Sequence, residues 1–131
     1  MNKFSFRISF GDTDPFGVAY FASYLDYCKK ALDEWIRNKG IKPEDFYRNK
    51  EKGWGFPVIE ISCRYFSPVK YDEEIIIEVY LKEVTDKDVK FLFEIKNLKG
   101  EKRAEAEIKL RCVSREFKSI FIPKEVRKYL V

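Results

Sequence analysis

The chain has 131 residues, of which 45% are hydrophobic and 17% aromatic, and this length and composition predict one globular domain over residues 1–131. Its net charge of +4 is small beside its 26 basic and 22 acidic residues, which argues against wholesale nucleic-acid binding. The chain has no His, so a Ser-His-Asp triad, a His general base and a His-based metal site are excluded within it.

The first predicted element is a half-buried strand over residues 4–10. Phe4, Phe6, Ile8 and Phe10 alternate there with Ser and Arg, which is the period of a strand with one face on the core. A stacking platform for nucleic-acid bases is the alternative, but such a site also needs a basic groove. The core interpretation is therefore favoured.

A compact bend and a long helix follow. In the segment D-T-D-P-F-G-V-A-Y-F-A-S-Y, Pro15 pushes Asp14 towards an extended conformation and Gly17 permits a tight turn, so Asp14 is held at a defined place. Beyond the bend, an apolar stripe predicts a helix over residues 21–39 with a left-handed cap at Gly40. Its start is left open, since Ser23 and Asp26 also form a candidate capping box two residues later. The stripe consists of Tyr24, Leu25, Cys28, Ala31, Leu32, Trp35 and Ile36.

A carboxylate just before a helix can take part in catalysis. The first turn leaves backbone N–H groups unpaired and partly positive, so it can hold an oxyanion. Asp14 could then act on a carbonyl as nucleophile or general base. The structural alternative is that Asp12 and Asp14 only form Asx-turns, and the D-x-D pattern alone does not exclude it.

The wider string resembles the N-terminal signature of the 4-hydroxybenzoyl-CoA thioesterase-like hotdog proteins. The segment Y-F-S-P-V at residues 65–69 and the acidic run at residues 72–74 extend the resemblance. It implies an α+β hotdog fold, in which an antiparallel β-sheet wraps around one long central α-helix, and the hydrolysis of acyl-CoA thioesters. Coenzyme A would then be part of the substrate, and no cofactor or metal is expected.

The resemblance also implies roles for particular residues. Asp14 would be the catalytic carboxylate, acting across a subunit interface, and the backbone amide of Phe21 would polarise the thioester carbonyl. Many members carry His where this chain has Phe21, so no side-chain contribution is expected there. A related branch of hotdog thioesterases uses a helix carboxylate, which keeps Asp26 and Glu34 as reserve candidates. The lack of His weighs against the hotdog dehydratases and hydratases.

Aromatic residues near the bend and in a later loop are candidates for substrate binding. Gly17 and Tyr20 belong to the bend, where Tyr20 and Tyr24 are expected to fix the turn by packing. Trp54, Phe56 and Pro57 follow Gly53, and they either wall an acyl pocket or cover the edge of the core.

Positive charge is concentrated near the C-terminal end, since residues 109–131 hold seven basic and two acidic side chains. Arg115 and Lys118, with Lys87 and Lys90 beside a predicted hairpin, are candidates for binding the phosphates of coenzyme A. Ordinary solvated surface charge is the alternative for each of them.

The rest of the chain is predicted to be a meander. A short helix at residues 43–47 precedes strands over residues 58–66, 75–84, 89–96, 103–113 and 119–122, and residues 124–130 form a last helix. Edge strands and exposed aromatics predict a homo-oligomer, with a dimer as the minimal unit and a tetramer as the expected assembly.

Further expectations come from what the sequence lacks. Cys28, Cys63 and Cys112 have no C-x-x-C spacing and are expected to be reduced core residues. Without a leader-like or membrane-spanning apolar segment, a cytoplasmic protein is expected. Two rival functions stay open: a thioesterase for acyl carrier protein, which would use the basic segment to bind an acidic partner, and a non-catalytic acyl-binding hotdog protein.

Overall fold

Strands and one long helix account for most of residues 2–130, the part of the chain that this computed structural model describes. The elements in chain order are β1 (Lys3–Arg7), a 3-10 turn (Phe10–Asp12), α1 (Ser23–Asn38), α2 (Pro43–Tyr47), β2 (Arg48–Asn49), β3 (Trp54–Gly55), β4 (Val58–Tyr65), β5 (Glu74–Val84), β6 (Asp88–Asn97), β7 (Lys102–Arg111), β8 (Val113–Ser114) and α3 (Lys124–Leu130).

Five strands form an antiparallel sheet in the order β1-β5-β6-β7-β4. Tight turns join β5 to β6 and β6 to β7, as the turn residues of the sequence predict. Along β6 the alternate residues Val89, Phe91, Phe93 and Ile95 are fully buried, and the residues between them are half-exposed. One face of the sheet is therefore the core, and the other is polar.

Helix α1 lies on the core face of this sheet. Its buried hydrophobic side chains are Tyr24, Tyr27, Cys28, Ala31, Leu32, Trp35 and Ile36. The indole of Trp35 meets the ring of Phe91 edge to face, with the two centroids 5.1 Å apart. An antiparallel sheet wrapped around one long helix is the arrangement expected from the sequence, and the predicted hotdog fold is confirmed.

Several element boundaries differ from the predicted ones. The first strand ends at Arg7, and Phe10 is 75% exposed, so the prediction that Phe10 faces the core is wrong. The strand predicted over residues 103–113 is broken at Cys112, since Val113 and Ser114 join a small sheet of order β2-β3-β8. The strand predicted over residues 119–122 is absent, and a single bridge joins Ser119 to Val113.

The described residues contain neither a disulfide nor a cluster of metal-ligating side chains. Cys28 and Cys112 are free and buried, as expected, whereas Cys63 is free and only partly buried. Within residues 2–130, no three His, Cys, Asp or Glu side chains converge as metal ligands would. The same residues include no helix that is long and apolar enough to cross a membrane.

Candidate active site

The bend before α1 is closed by backbone hydrogen bonds around Asp14. The Asp14 N–H donates to the carbonyl of Val18 at 2.9 Å, and the Gly17 N–H donates to the carbonyl of Asp14 at 2.9 Å. Gly17 has a φ of +77°, the left-handed conformation that its position predicts. The backbone of Asp14 is thus fixed from both sides.

The carboxylate of Asp14 uses its two oxygens differently. Oδ1 accepts from the Phe16 N–H at 2.9 Å and from the Val18 N–H at 3.4 Å, which is the Asx-turn of the structural alternative. Oδ2 has no hydrogen-bond partner within residues 2–130. The turn therefore orients the carboxylate and leaves one oxygen available for chemistry.

Helix α1 begins at Ser23, later than the predicted start at residue 21. The predicted capping box is wrong: its Ser23 hydroxyl would accept from the Asp26 N–H, but this N–H donates to the carbonyl of Ala22 at 3.4 Å, and the hydroxyl donates to the carbonyl of Asp12 at 3.0 Å. The Ser23 N–H donates to the carbonyl of Tyr20 at 2.8 Å. The N–H groups of Phe21 and Ala22 meet no acceptor in the described chain, so the helix start has free donors.

Asp14 and Phe21 line the same cleft, whose volume is about 500 Å³. Its walls are Asp14, Ala19, Tyr20, Phe21, Tyr24, Tyr65, Phe66, Ser67 and Pro68. Residues 14–20 of this set come from the bend, residues 21 and 24 from the start of α1, and residues 65–68 from the end of β4 and the segment after it. The cleft thus joins the two sequence segments on which the resemblance rests. The segment at residues 65–69 carried that signal, but its place in the cleft wall could not be inferred from it.

The aromatic residues of this cleft divide into packed and exposed ones. Tyr24 is 6% exposed, and its hydroxyl accepts from the Val69 N–H at 3.2 Å. Burial raises the pKa of this phenol. Tyr24 therefore packs as predicted, whereas Tyr20 is 49% exposed and packs over only part of its surface. Its ring lies against that of Phe21, with centroids 4.4 Å apart.

Two of the three loop candidates line a different cavity, of about 550 Å³. Trp54 and Pro57 line it together with Arg115, whose guanidinium donates to the carbonyls of Lys50 at 2.8 Å and Glu51 at 3.1 Å. Phe56 lies in the core, 1% exposed and stacked on Phe46. Within one chain, this cavity has no lining residue in common with the Asp14 cleft.

The other charged candidates are scattered over the surface. The Lys87 Nζ lies 5.4 Å from the centroid of Phe121, Lys90 is on the polar side of β6, and Lys118 is exposed beyond β8. None of these lysines lines either cavity, and neither do the reserve carboxylates Asp26 and Glu34.

Comparison of the sequence with known proteins identifies relatives along almost the whole chain. The family model of the thioesterase-like superfamily matches residues 8–130. Acyl-CoA thioesterase YbgC of Haemophilus influenzae is 30% identical over 130 residues, covering 96% of this chain and 93% of the relative. A 1,4-dihydroxy-2-naphthoyl-CoA hydrolase of Rippkaea orientalis is 28% identical over 95 residues, covering 72% of this chain and 67% of that protein.

Solved structures share the fold. A hypothetical protein from Aquifex aeolicus superposes with a TM-score of 0.89 at 25% identity, covering 98% of both chains. A 1,4-dihydroxy-2-naphthoyl-CoA thioesterase from Synechocystis gives a TM-score of 0.90 at 18% identity, covering 98% of this chain and 94% of that one. With the family match over residues 8–130, the chain belongs to the thioesterase-like superfamily.

Proposed function

We propose that this protein hydrolyses acyl-CoA thioesters in the cleft that contains Asp14. The observation that carries the proposal is the meeting of a carboxylate and a helix start in one cleft. Asp14 offers an unpaired oxygen there, and the Phe21 amide is a free donor at a helix start. A carbonyl bound between them would have its oxygen on the amide and its carbon towards the carboxylate.

Two routes of hydrolysis fit these groups. As a nucleophile, Asp14 bonds to the carbonyl carbon, the C–S bond breaks, and coenzyme A leaves as a thiolate that takes a proton from water. Water then hydrolyses the resulting mixed anhydride. As a general base, Asp14 takes a proton from a water molecule that attacks the same carbon; the C–S bond then breaks, and the leaving coenzyme A thiolate takes up that proton. Both routes end in a free acid and the thiol of coenzyme A, and the amide stabilises the oxyanion in both.

The walls of the cleft favour small to medium or aromatic acyl groups. Tyr20, Phe21 and Tyr65 give it flat apolar surfaces, on which an aromatic acid can stack. Relatives are named acyl-CoA thioesterase and 1,4-dihydroxy-2-naphthoyl-CoA hydrolase, and both names specify coenzyme A thioesters. Coenzyme A is thus part of the substrate in this proposal, and no separate cofactor is required. Gly17 serves the site by shaping the bend.

The second cavity is a candidate site for the nucleotide end of coenzyme A. Trp54 offers a ring for stacking, and Arg115 brings positive charge to the same cavity. Lys118, Lys87 and Lys90 remain further candidates for phosphate contacts.

The proposed working unit is a homodimer, with a tetramer as the larger assembly, in the cytoplasm. Strand β4 is an edge of the main sheet, and it exposes Val58, Ile59 and Ile61 by 44–48%. Exposed apolar side chains on an unpaired edge favour pairing with another copy. Pairing there would bring a second subunit beside the end of β4, which walls the Asp14 cleft.

The test is the release of free thiol from short-chain, long-chain and aromatic acyl-CoAs by wild type and Asp14→Asn. We expect kcat to fall by at least about 10²-fold in Asp14→Asn, since a carboxylate that acts as base or nucleophile contributes on that scale. Circular dichroism checks folding, and Asp45→Asn, an exposed carboxylate of α2, is the matched control.

Other results of this test would change the assignment of the catalytic residue or favour a different function. Full activity in a folded Asp14→Asn protein would remove Asp14 from the mechanism and direct attention to Asp26 and Glu34. No turnover by wild type would favour the two rivals. An acyl-carrier-protein thioesterase is supported by the basic segment at residues 109–131, and it would resist competition by free coenzyme A. A non-catalytic acyl-binding protein would bind acyl-CoA without releasing thiol.

A further inference from the structure

Tyr65 connects the end of β4 to the start of α1. Its hydroxyl donates to the carbonyl oxygen of Phe21 at 2.7 Å, across a separation of 44 residues in the chain. Its ring meets the buried ring of Tyr24 edge to face, with centroids 4.9 Å apart. Because Tyr24 is itself held by the Val69 amide, the Tyr65 hydroxyl is presented from a fixed position.

The Phe21 carbonyl lies outside the hydrogen-bond ladder of the helix. The Leu25 N–H, which would be its partner in a regular α-helix, donates to the carbonyl of Ala22 at 3.1 Å. Tyr65 is therefore the group that satisfies this oxygen.

Fixing a carbonyl also fixes the N–H of the same peptide unit, because the unit is planar and the two groups point in opposite directions. The Ser23 N–H holds the carbonyl of Tyr20 and thereby orients the Phe21 N–H. In the same way Tyr65 orients the Ala22 N–H. A hydrogen bond to the carbonyl also polarises the unit and strengthens its N–H as a donor.

We propose that Tyr65 is a positioning residue for the oxyanion site: it holds the Phe21–Ala22 peptide so that the free Ala22 amide, next to the Phe21 amide, faces the thioester carbonyl. The inference rests on the proposed function. Both partners of the bond line the cleft, and Tyr65 is 44% and Phe21 62% exposed, so water can replace the bond at small cost in stability. The bond therefore matters for geometry more than for folding. Partial burial and the neighbouring Cys63 thiol raise the pKa of Tyr65, so the phenol is protonated and can act as the donor.

The test is Tyr65→Phe, which removes the hydroxyl and keeps the ring on Tyr24. We expect kcat for the best acyl-CoA to fall about tenfold, less than the roughly 10²- to 10³-fold typical of losing an oxyanion donor itself. KM and the thermal midpoint should stay near the wild-type values. Two controls bracket this result. Tyr24→Phe removes the hydrogen bond from the buried Val69 amide and should lower the thermal midpoint. Tyr129→Phe, on α3, should change neither kcat nor the thermal midpoint.

A spectroscopic measurement separates positioning from a structural role. In an Asp14→Asn background, which leaves the substrate intact, the carbonyl stretch of a bound aromatic acyl-CoA reports its hydrogen bonds. We expect the downshift of that band on binding to be smaller when Tyr65→Phe is added. Wild-type kcat in Tyr65→Phe, or a lower kcat with an unchanged carbonyl band, overturns the inference while leaving the proposed function in place. If wild type releases no thiol, or Asp14→Asn keeps full activity, the proposed function has failed and this inference falls with it.

Discussion

The two aspartates of the D-x-D pair have different contacts and different expected roles. Asp14 faces the cleft, whereas Asp12 ties the bend to the helix. Its carboxylate accepts from the Tyr27 hydroxyl at 2.7 Å, and its backbone carbonyl accepts from the Tyr20 N–H at 2.9 Å. Tyr27 is 3% exposed and its hydroxyl also accepts from the Ser9 N–H at 3.0 Å. Asp12 and Tyr27 thus anchor the turn that presents Asp14.

Removing the Tyr27 hydroxyl should therefore loosen the anchor. We expect Tyr27→Phe to lower the free energy of unfolding by about 1–3 kcal/mol, because the Ser9 amide and the Asp12 carboxylate lose a partner in a part-buried site. Urea unfolding measures the loss, with Tyr71→Phe, whose side chain is 52% exposed, as the matched control. Equal midpoints for wild type and Tyr27→Phe would show that the anchor does not stabilise the fold.

The sequence identifies the residues of the site better than it predicts their contacts. Asp14, Gly17 and Phe21 are recognisable because they belong to one continuous segment that resembles the family signature, and the bend from Asp14 to Gly17 is also restricted locally. Tyr65 is in a recognisable segment too, but its bond to Phe21 depends on how β4 lies beside α1. Likewise, Trp54 and Phe56 look equivalent in the sequence, yet Phe56 is in the core and Trp54 lines a cavity.

Among the elements, the long ones are predicted well and the short ones poorly. Helix α1 carries an apolar stripe, and strands β4 to β7 are rich in β-branched or aromatic residues over eight or more positions, which identifies them without tertiary information. The two-residue strands β2, β3 and β8 are too short to show a period, and they exist through pairing with one another. The capping box at Ser23 fails for a similar reason, since the Ser23 hydroxyl finds a tertiary acceptor in the carbonyl of Asp12.

Asp88 joins strands β6 and β7 through a charged contact. The Arg111 guanidinium donates to both carboxylate oxygens, at 2.7 and 3.0 Å, and the Lys109 Nζ lies 3.6 Å from Oδ2. The hydrogen bonds from Arg111, with the charges of Arg111 and Lys109, hold the pKa of Asp88 below its usual value of about 3.9. Ionised Asp88 therefore stabilises the fold above that value, and the contribution is lost as pH falls through the lower, folded-state pKa.

This pKa shift predicts an acid-sensitive contribution to stability. From pH 7 to pH 3, the midpoint of urea unfolding should fall by more in wild type than in Asp88→Asn. The variant should already be less stable than wild type at pH 7. Asp86→Asn, in the same hairpin turn but exposed, is the control and should follow wild type. An unchanged pH dependence in Asp88→Asn would show that this carboxylate does not contribute.

For the whole molecule, the two edges of the main sheet are unlike each other. Strand β1 has five residues, and its exposed Lys3 and Arg7 pair with Glu78 and Glu74 of the next strand. A short, charged edge resists further pairing. Strand β4 has eight residues, and its exposed side chains are mainly apolar. Edge-to-edge pairing of the main sheet is therefore expected at β4 and not at β1, and the hydrophobic pattern of the sequence does not distinguish these two edges.

A charge in the middle of β4 should consequently break the dimer. If two copies of β4 pair antiparallel about a two-fold axis, residues near position 61 face each other, and directly opposed side chains lie about 5 Å apart. Ile61→Lys would bring two ammonium groups together there and remove apolar contact, so we expect the dimer Kd to rise about 100-fold or more. Sedimentation velocity over a dilution series measures this, and Leu98→Lys, which adds the same charge at a residue 62% exposed in the β6–β7 turn, is the control. Because pairing at β4 would place a second subunit beside the Asp14 cleft, thiol release per chain by Ile61→Lys should fall on dilution while that of Leu98→Lys stays constant. A dimer of undiminished affinity in Ile61→Lys would place the subunit contact on another surface.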